Sequence, residues 1–265
     1  MFKLKLLAVL MVFAAVGNTA EIKSITDFTA NMEHHPGYVD FYWDNEQGKI
    51  YLAIDQFDQD LLYAHYLQSG VGSNNIGLDR GQIGGFALVQ FQRLGNKVLL
   101  VEPNQTYRAY SDNPAERQAV ADGFAQSVLW GGELVATSAD QVLVDWTDFL
   151  LRDSQGIATR LEQMKEGQFS VDKNRSAIYM ANSKNFPENT EFEALITLQG
   201  QKPGPHISSV APANDIISVR THHSLIQLPE VPYQPRAFDP RSGGLPVSFK
   251  GYAAPLGESM QKQWV

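Results

Sequence analysis

Short runs of aromatic and β-branched residues, separated by turns that contain glycine, are the feature that most constrains the fold of this chain. Residues 39–43 and 49–54 are two such runs and flank one of these turns. Residues 86–101 contain a second pair of runs, which flank the dipeptide Gly95-Asn96. Paired runs around a tight turn are typical of β-hairpins. The pattern therefore predicts a chain built mainly from antiparallel strands.

One segment between the predicted strands has the features of a helix. Asn113 can cap its first turn through the side-chain oxygen, and Pro114 suits the first helical position. Apolar residues then follow at a spacing of four, which places them on one helical face. We therefore expect three residues to face the core: Val120, Phe124 and Val128.

Shorter helices are predicted at residues 145–151 and 157–164, so the expected fold class is α+β, with antiparallel strands dominant and a few helices. Beyond Leu228 the amino-acid composition of the sequence changes. Proline, which interrupts both helices and sheet ladders, recurs at positions 229, 232, 235, 240, 246 and 255. This spacing predicts an irregular, proline-rich C-terminal tail.

The N-terminus has the layout of a secretory signal peptide. Lys3 and Lys5 precede the apolar run 6–16, and small residues ending in Ala20 follow. We expect a signal peptide at residues 1–20, with cleavage after Gly17 or an uncleaved anchor as alternatives. The apolar run is too short to span a bilayer stably. The chain is thus expected to be exported, to the periplasm or the outside of a bacterial envelope.

Composition narrows the classes of partner and chemistry. The chain has no cysteine, which excludes disulfides, thiol nucleophiles and cysteine-based zinc sites. Its formal net charge is −8, so the sequence does not support a basic surface that binds nucleic acid. After the signal peptide, no segment is long and apolar enough to predict a transmembrane helix. We expect neither a nucleic-acid partner nor a membrane span in the mature chain.

Signatures of catalysis are missing from the sequence. The two adjacent histidine pairs, His34-His35 and His222-His223, would point to opposite faces of a strand and so could not chelate one metal ion. No His-Glu-x-x-His, Gly-x-Ser-x-Gly or phosphate-loop motif occurs. A glycosidase built from paired carboxylates is a distant alternative. We expect no catalytic residue, metal ligand or cofactor in this chain.

The glycine-rich segment 70–81 is the most specialised loop. It ends in Gly77-Leu78-Asp79-Arg80-Gly81. Glycines allow close approach of the backbone, and irregular loops on a β scaffold often carry function. The competing interpretation is a structural loop in which Arg80 holds backbone carbonyls or a buried acid.

This loop and further stretches, taken in order, resemble the N-terminal region of large bacterial secreted zinc-dependent metalloproteases. The resemblance covers nearly the whole chain after the signal peptide. The stretches that carry it are residues 70–81, 98–104, 107–109, 124–130, 144–150, 175–177, 186–193 and 223–243.

The resemblance implies an accessory, non-catalytic domain at 21–228 and a connection at 229–265 toward a peptidase domain that this sequence does not contain. Zinc and the peptide-bond hydrolysis would belong to that missing domain, which would be the partner of this one, together with a peptide substrate. Motif residues are expected to have a role that the resemblance does not specify: Asp79, Arg80, Gly81, Asn104, Arg236, Asp239 and Arg241. The alternative is a free-standing periplasmic module that binds peptide or glycan.

Overall fold

The fold is dominated by antiparallel β-sheet. The computed structural model describes residues 22–109, 111–241, 243–252 and 261–264, so the signal peptide predicted at 1–20 lies outside the described residues. Strands make up 43% of the structure and helices 16%. The sheet curls into a half-barrel, so helices are a smaller part of the architecture than the label α+β suggests.

Seventeen strands lie in the described parts of the chain. They are β1 (Lys23–Ser24), β2 (Glu33–His35), β3 (Phe41–Asp44), β4 (Lys49–Ile54), β5 (Leu61–Leu67), β6 (Ile83–Leu94), β7 (Lys97–Glu102), β8 (Tyr107–Ala109), β9 (Ser127–Thr137), β10 (Val142–Asp145), β11 (Gln168–Val171), β12 (Ala177–Ile178), β13 (Lys184–Asn185), β14 (Asn189–Gln201), β15 (Ile216–Gln227), β16 (Val247–Tyr252) and β17 (Gln261–Trp264).

The described helices are short. They are α1 (Ile25–Phe28), α2 (Pro114–Gly123), α3 (Thr147–Leu150), α4 (Ile157–Gln163) and α5 (Pro205–Val210), with 3₁₀ turns at Lys173–Arg175 and Met180–Asn182. The positions of α3 and α4 confirm the two short helices predicted from the sequence.

One large sheet contains 14 strands, in the order β11-β14-β15-β5-β6-β7-β9-β10-β4-β3-β2. β1 joins it beside β9, and β12 and β13 join it beside β14. Both predicted hairpins are present, as β3–β4 and β6–β7, and Gly48 and Gly95 adopt positive φ at their turns. The neighbouring strands β14, β15 and β5 lie toward one end of this order and carry the candidate site, and β15 runs antiparallel to both β14 and β5.

The concave face of the sheet holds the largest core cluster. Trp146 is fully buried and packs against Phe149 and Phe91, while Phe41 meets Phe192 edge to face with ring centroids 5.1 Å apart. A second cluster, around Ile196 and Val219 among others, lies under α4 and the glycine-rich loop. Alternate residues of each strand point inward, so the other residues of β14, β15 and β5 form the convex face.

Helix α2 begins as predicted, but its expected core face is wrong. Asn113 Oδ1 accepts a hydrogen bond from Ala115 N at 3.0 Å, which confirms the cap. No residue of α2 is buried. The helix ends at Gly123, so Phe124 already has extended backbone and Val128 belongs to β9, where it is 54% exposed. The expectation was wrong because the apolar residues keep their spacing of four beyond Gly123, where the helix ends.

The tail is less irregular than its prolines suggest. β16 and β17 lie within it and pair antiparallel. β16 also pairs in parallel with β8, which joins the tail to an earlier part of the chain in a separate three-stranded sheet. The segment between β15 and β16 is extended or turned, with exposed residues such as Tyr233 and Val231.

The glycine-rich loop 70–81 packs through its apolar residues. Ile76 and Leu78 are buried in the second core cluster. Arg160 of α4 donates from Nε to the carbonyl of Ile76 at 2.7 Å. A Cβ at Gly70 would lie 2.6 Å from the backbone nitrogen of Arg80, so a larger residue would not fit there. The loop is thus held by Arg160, and Arg80 itself is exposed.

Candidate functional site

Three neighbouring strands bring polar residues together on the convex face. His222 of β15 lies opposite Tyr66 of β5 and opposite Glu193 of β14, so the three side chains form one row across the sheet. Ser224 and Glu191 form the next row. Residues directly opposite each other in antiparallel strands have side chains on the same face and within contact distance. Strand register therefore builds this cluster.

Glu191 is the centre of the hydrogen-bond network. Its Oε2 accepts from His222 Nε2 and from Ser224 Oγ, each at 2.5 Å, and its Oε1 accepts from Asn189 Nδ2 at 2.5 Å. Burial alone would raise the pKa of the Glu191 carboxyl, but these three hydrogen bonds outweigh it and lower the pKa. Glu191 is therefore a carboxylate at neutral pH.

Glu193 is a buried carboxylate balanced by a cation. Its side chain is 1% exposed. Arg220 Nη1 lies 2.9 Å from Oε1 as an ion pair, although the two atoms are not aligned for a hydrogen bond. Asn182 Nδ2 donates to Oε2 at 2.8 Å, and His222 Nδ1 lies 3.9 Å from the same oxygen. Breaking a buried ion pair from one side costs several kcal/mol, so Arg220 and Glu193 hold each other in place.

These residues border an open depression, which we call the convex groove. It has a volume of about 540 Å³. Tyr66 forms one side and stacks on His222, with ring centroids 4.7 Å apart. Phe186, which is 44% exposed, and Lys184 are the most accessible side chains of the groove. The described residues that line it are Tyr66, Gln68, Asn182, Lys184, Phe186, Glu191, Glu193, His222 and Ser224.

The arrangement of the groove suits binding better than covalent chemistry. A serine nucleophile needs its hydroxyl hydrogen-bonded to a base such as histidine. Here Ser224 and His222 both donate to the same carboxylate, so the histidine does not act on the serine. A glycosidase needs one carboxylic acid with a raised pKa, whereas the pKa of Glu191 is lowered and Glu193 is ion-paired to Arg220.

The concave side of the same strands carries a second, buried polar cluster. His223 is 1% exposed and faces Tyr63 and His65, which confirms that the pair His222-His223 points to opposite faces. Tyr63 Oη lies 2.8 Å from His223 Nδ1, and Arg152 Nη2 donates to Tyr63 Oη at 2.9 Å. Burial raises the pKa of Tyr63 to about 12, although the nearby Arg152 opposes this.

Both histidines of this buried cluster resist protonation. Burial lowers the pKa of His223 well below its usual value, and the charges of Arg152, His65 and His222 lower it further. Burial and Arg152 also lower the pKa of His65, whose Nδ1 lies 2.8 Å from Gln155 Nε2. The cluster is therefore neutral except for the guanidinium of Arg152, and it ties β5 and β15 to the segment after α3.

The other histidine pair is divided in the same way. On β2, His34 stacks on Tyr42 and lies 3.0 Å from Asp40, whereas His35 stacks on Phe41. Across the residues that the structure describes, no group of three or more His, Cys, Asp or Glu side chains is arranged to hold a metal ion.

The residues predicted from the motifs do not lie in the convex groove. Asp79, Arg80 and Gly81 are exposed at the end of the glycine-rich loop. Arg236 is exposed, and Asp239 pairs with Arg241 on the surface, where hydrogen bonds from Arg241 lower the pKa of the Asp239 carboxyl. Their functional role stays a prediction.

Asn104 is the one motif residue with a clear structural task. Its Oδ1 accepts from the backbone nitrogens of Thr106 and Tyr107, and its Nδ2 donates to the carbonyl of Ala125 at 3.1 Å. It thereby fixes the turn into β8 and joins that turn to the end of α2.

Sequence reasoning missed the groove residues because they are far apart in the chain. The available signal was the alternation in β14, where Glu191 and Glu193 interrupt a run of apolar residues at a spacing of two. Acids at that spacing in a strand point to one face. Combined with His222 on the neighbouring strand, they could have suggested a polar site on a sheet.

Comparison with known families gives one match. The model of a domain of unknown function, DUF5117, matches residues 81–265. The chain belongs to this family. No curated protein matches, and no solved structure matches.

The DUF5117 match contains most of the convex groove. Glu191, Glu193 and His222 lie inside the matched residues, and Tyr66 and Gln68 precede them. The loop residues Asp79 and Arg80 also precede the match, which begins at Gly81. None of the helices that the structure describes has the length and apolar character needed to cross a membrane.

Proposed function

We propose that this chain is a non-catalytic accessory domain of a secreted zinc metalloprotease and that it holds a peptide segment in the convex groove. The groove carries this proposal, because it combines an accessible aromatic ring with fixed charges on a rigid part of the sheet. Phe186 is 44% exposed at its edge, and Glu191 is held by three hydrogen bonds.

Preorganisation supports a binding role. His222, Ser224 and Asn189 fix the carboxylate of Glu191, so little side-chain freedom is lost when a ligand arrives. Glu193, which also lines the groove, is held by its ion pair with Arg220. A ligand would meet groups that already have their final geometry.

The chemistry of the groove fits a peptide. Lys184 is exposed and makes no ion pair with the described residues, so it can receive a carboxylate of the ligand. The carboxylate of Glu191 can accept hydrogen bonds from an amide or ammonium group. Phe186 supplies apolar contact area at low entropic cost, as aromatic anchors do in interfaces.

The parent activity rests on the resemblance to secreted zinc metalloproteases, together with the expected signal peptide. Among the residues that the structure describes, no group is arranged as a zinc site, and each adjacent histidine pair is divided between two faces. No His-Glu-x-x-His occurs in the sequence. Zinc and hydrolysis would therefore belong to a separate peptidase domain of an exported protein. The domain described here would increase the local concentration of substrate.

A glycan is the second candidate ligand. An exposed aromatic ring next to carboxylate and amide groups also suits a sugar ring, and the groove offers Phe186 beside Asn182, Gln68 and Glu191. This alternative corresponds to a free-standing binding module in the bacterial envelope.

Titration of the mature chain with peptides and with oligosaccharides distinguishes the two ligands. Backbone amide shifts in ¹H–¹⁵N NMR spectra would report binding, and we expect peptides to shift residues of β13, β14 and β15. Phe186→Ala should weaken binding about tenfold or more, as loss of a central aromatic anchor does. Tyr233→Ala is the matched control, because Tyr233 is 75% exposed and lies outside the groove.

The accessory role is tested in a natural protein that contains this domain and a zinc peptidase domain. Phe186→Ala should raise KM for a peptide substrate and leave kcat unchanged, because the lost contact stabilises the bound substrate and the transition state equally. Equal effects of Phe186→Ala and Tyr233→Ala would contradict the proposal. Binding of oligosaccharides alone would favour the glycan module.

A further inference from the structure

A second depression lies between the exposed helix α2 and β8, which belongs to the separate three-stranded sheet. It has a volume of about 240 Å³. We call it the α2 cleft. Its lining residues are Pro103, Asn104, Tyr107, Arg108, Ala109, Arg117, Val120, Ala121, Phe124 and Gln126.

Aromatic rings form the apolar part of the α2 cleft. Tyr107 and Phe124 are stacked with ring centroids 3.8 Å apart and planes that differ by 2°. Tyr252 of β16 meets both rings edge to face, at 5.7 Å and 4.9 Å. Val120 adds an aliphatic side from the helix. Two apolar residues of α2, Val120 and Ala121, which are not part of the core, therefore line this cleft.

The charge of the α2 cleft is opposite to that of the whole chain. The described residues of its lining include two arginines and no Asp or Glu, whereas the chain has a formal net charge of −8. Lys250 adds a third cation, with Nζ 5.3 Å from the centroid of the Tyr107 ring. A cationic edge on an apolar cleft is complementary to an anion with an apolar body.

The two guanidinium groups make hydrogen bonds only to backbone carbonyls among the described residues. Arg117 donates from Nη1 to the carbonyl of Ser111 at 2.7 Å, and Arg108 donates from Nε to the carbonyl of Gln105 at 2.9 Å. Neither forms an ion pair with a described carboxylate. Each guanidinium has five N–H donors in a planar fork that matches a carboxylate, so donors remain for a ligand.

We infer that the α2 cleft binds a carboxylate that carries an aromatic or bulky apolar group, such as the C-terminal residue of a peptide. The carboxylate would receive hydrogen bonds from Arg117 and Arg108, and the apolar group would pack against Phe124 and Val120. This site shares no lining residue with the convex groove.

N-acetyl-phenylalanine is the probe that tests this inference, and N-acetyl-phenylalaninamide is its uncharged counterpart. We expect NMR titration of the mature chain to shift the side-chain amides of Asn104 and Gln126. The amide probe should bind about tenfold or more weakly, because hydrogen bonds to a charged group are lost. The peptide acetyl-Gly-Gly-Phe with a free carboxyl terminus separates the two sources: binding at least as tight as that of the single residue indicates a peptide terminus.

Arg117→Gln should weaken binding of N-acetyl-phenylalanine about tenfold or more. Its helix has no buried residue, so the fold should survive the change. Arg93→Gln is the matched control: Arg93 is also exposed and also donates to a backbone carbonyl, that of Gly95, but it lies outside the cleft. Equal binding of the acid and the amide, an unchanged affinity in Arg117→Gln, or no binding at millimolar probe would each overturn the inference.

Discussion

His223 provides the sharpest test of the buried polar cluster, through the dependence of stability on pH. Tyr63 Oη accepts a hydrogen bond from Arg152 Nη2 and lies 2.8 Å from His223 Nδ1, so the positive guanidinium is close to the buried histidine. Burial and the charge of Arg152 lower the pKa of His223 well below 6.5. In the unfolded chain this histidine titrates near pH 6.5.

The sign of the effect follows from linkage. When the pKa of a histidine is lower in the folded state, the unfolded chain binds the proton at a higher pH than the folded chain does. The stabilising contribution of the histidine is therefore full above about pH 6.5. It is lost as the pH falls toward the folded pKa. The slope approaches about 1.4 kcal/mol per pH unit. Between pH 7 and pH 5 one such histidine costs about 2 kcal/mol, a large share of a typical stability of about 5–15 kcal/mol.

Other groups that titrate determine the pH range of the experiment. His65 also has a lowered pKa, owing to burial and Arg152, so it adds to the loss in the same direction. The pKa of Glu191 is lowered as well, and its contribution is lost only at more acidic pH, below its unfolded value of about 4.3. Of these three groups, only His223 and His65 lose their stabilising contribution between pH 7 and pH 5.

Urea unfolding, followed by tryptophan fluorescence at several pH values in this window, measures the effect. His223→Gln should lower stability at pH 7, because it disturbs the bond to Tyr63, but it should remove about 2 kcal/mol of the loss between pH 7 and pH 5. His206→Gln is the control, since His206 is only partly buried and contacts Asn75 rather than a buried cluster. If His223→Gln keeps the full pH slope of the parent chain, the reasoning is refuted.

Three further changes test the packing and the local structure. Phe192→Ala should cost about 3–5 kcal/mol in urea unfolding, because this fully buried ring packs against Phe41 and its removal leaves a cavity; a loss below about 1 kcal/mol would show that the sheet does not close there. Asn113→Ala should increase hydrogen exchange of the first amides of α2 by a factor that corresponds to about 1 kcal/mol, and unchanged exchange would argue against the cap. Gly70→Ala should lower Tm clearly, because the new Cβ would lie 2.6 Å from the nitrogen of Arg80, and a Tm equal to that of the parent would show that the loop can move aside.

The local elements were predictable because their causes are local. Alternating aromatic and β-branched runs around Gly48 and Gly95 specify the hairpins β3–β4 and β6–β7 without reference to the rest of the chain. Asn113 and the following proline specify the start of α2 in the same way. The end of α2 was missed, since the apolar spacing continued while the backbone became extended at Phe124.

The sequence by itself determined the two hairpins with their turns and the division of each histidine pair between two faces, because a strand alternates its side chains whatever it pairs with. Only the tertiary structure decided which side chains of distant strands come into contact. Glu191 and Ser224 are 33 positions apart, and only the register of β14 on β15 places them at hydrogen-bonding distance. The same holds for Tyr63 and His223, which are 160 positions apart and are joined through the pairing of β5 with β15. Register depends on the fit of the whole curled sheet around its core, and no local run of residues encodes it.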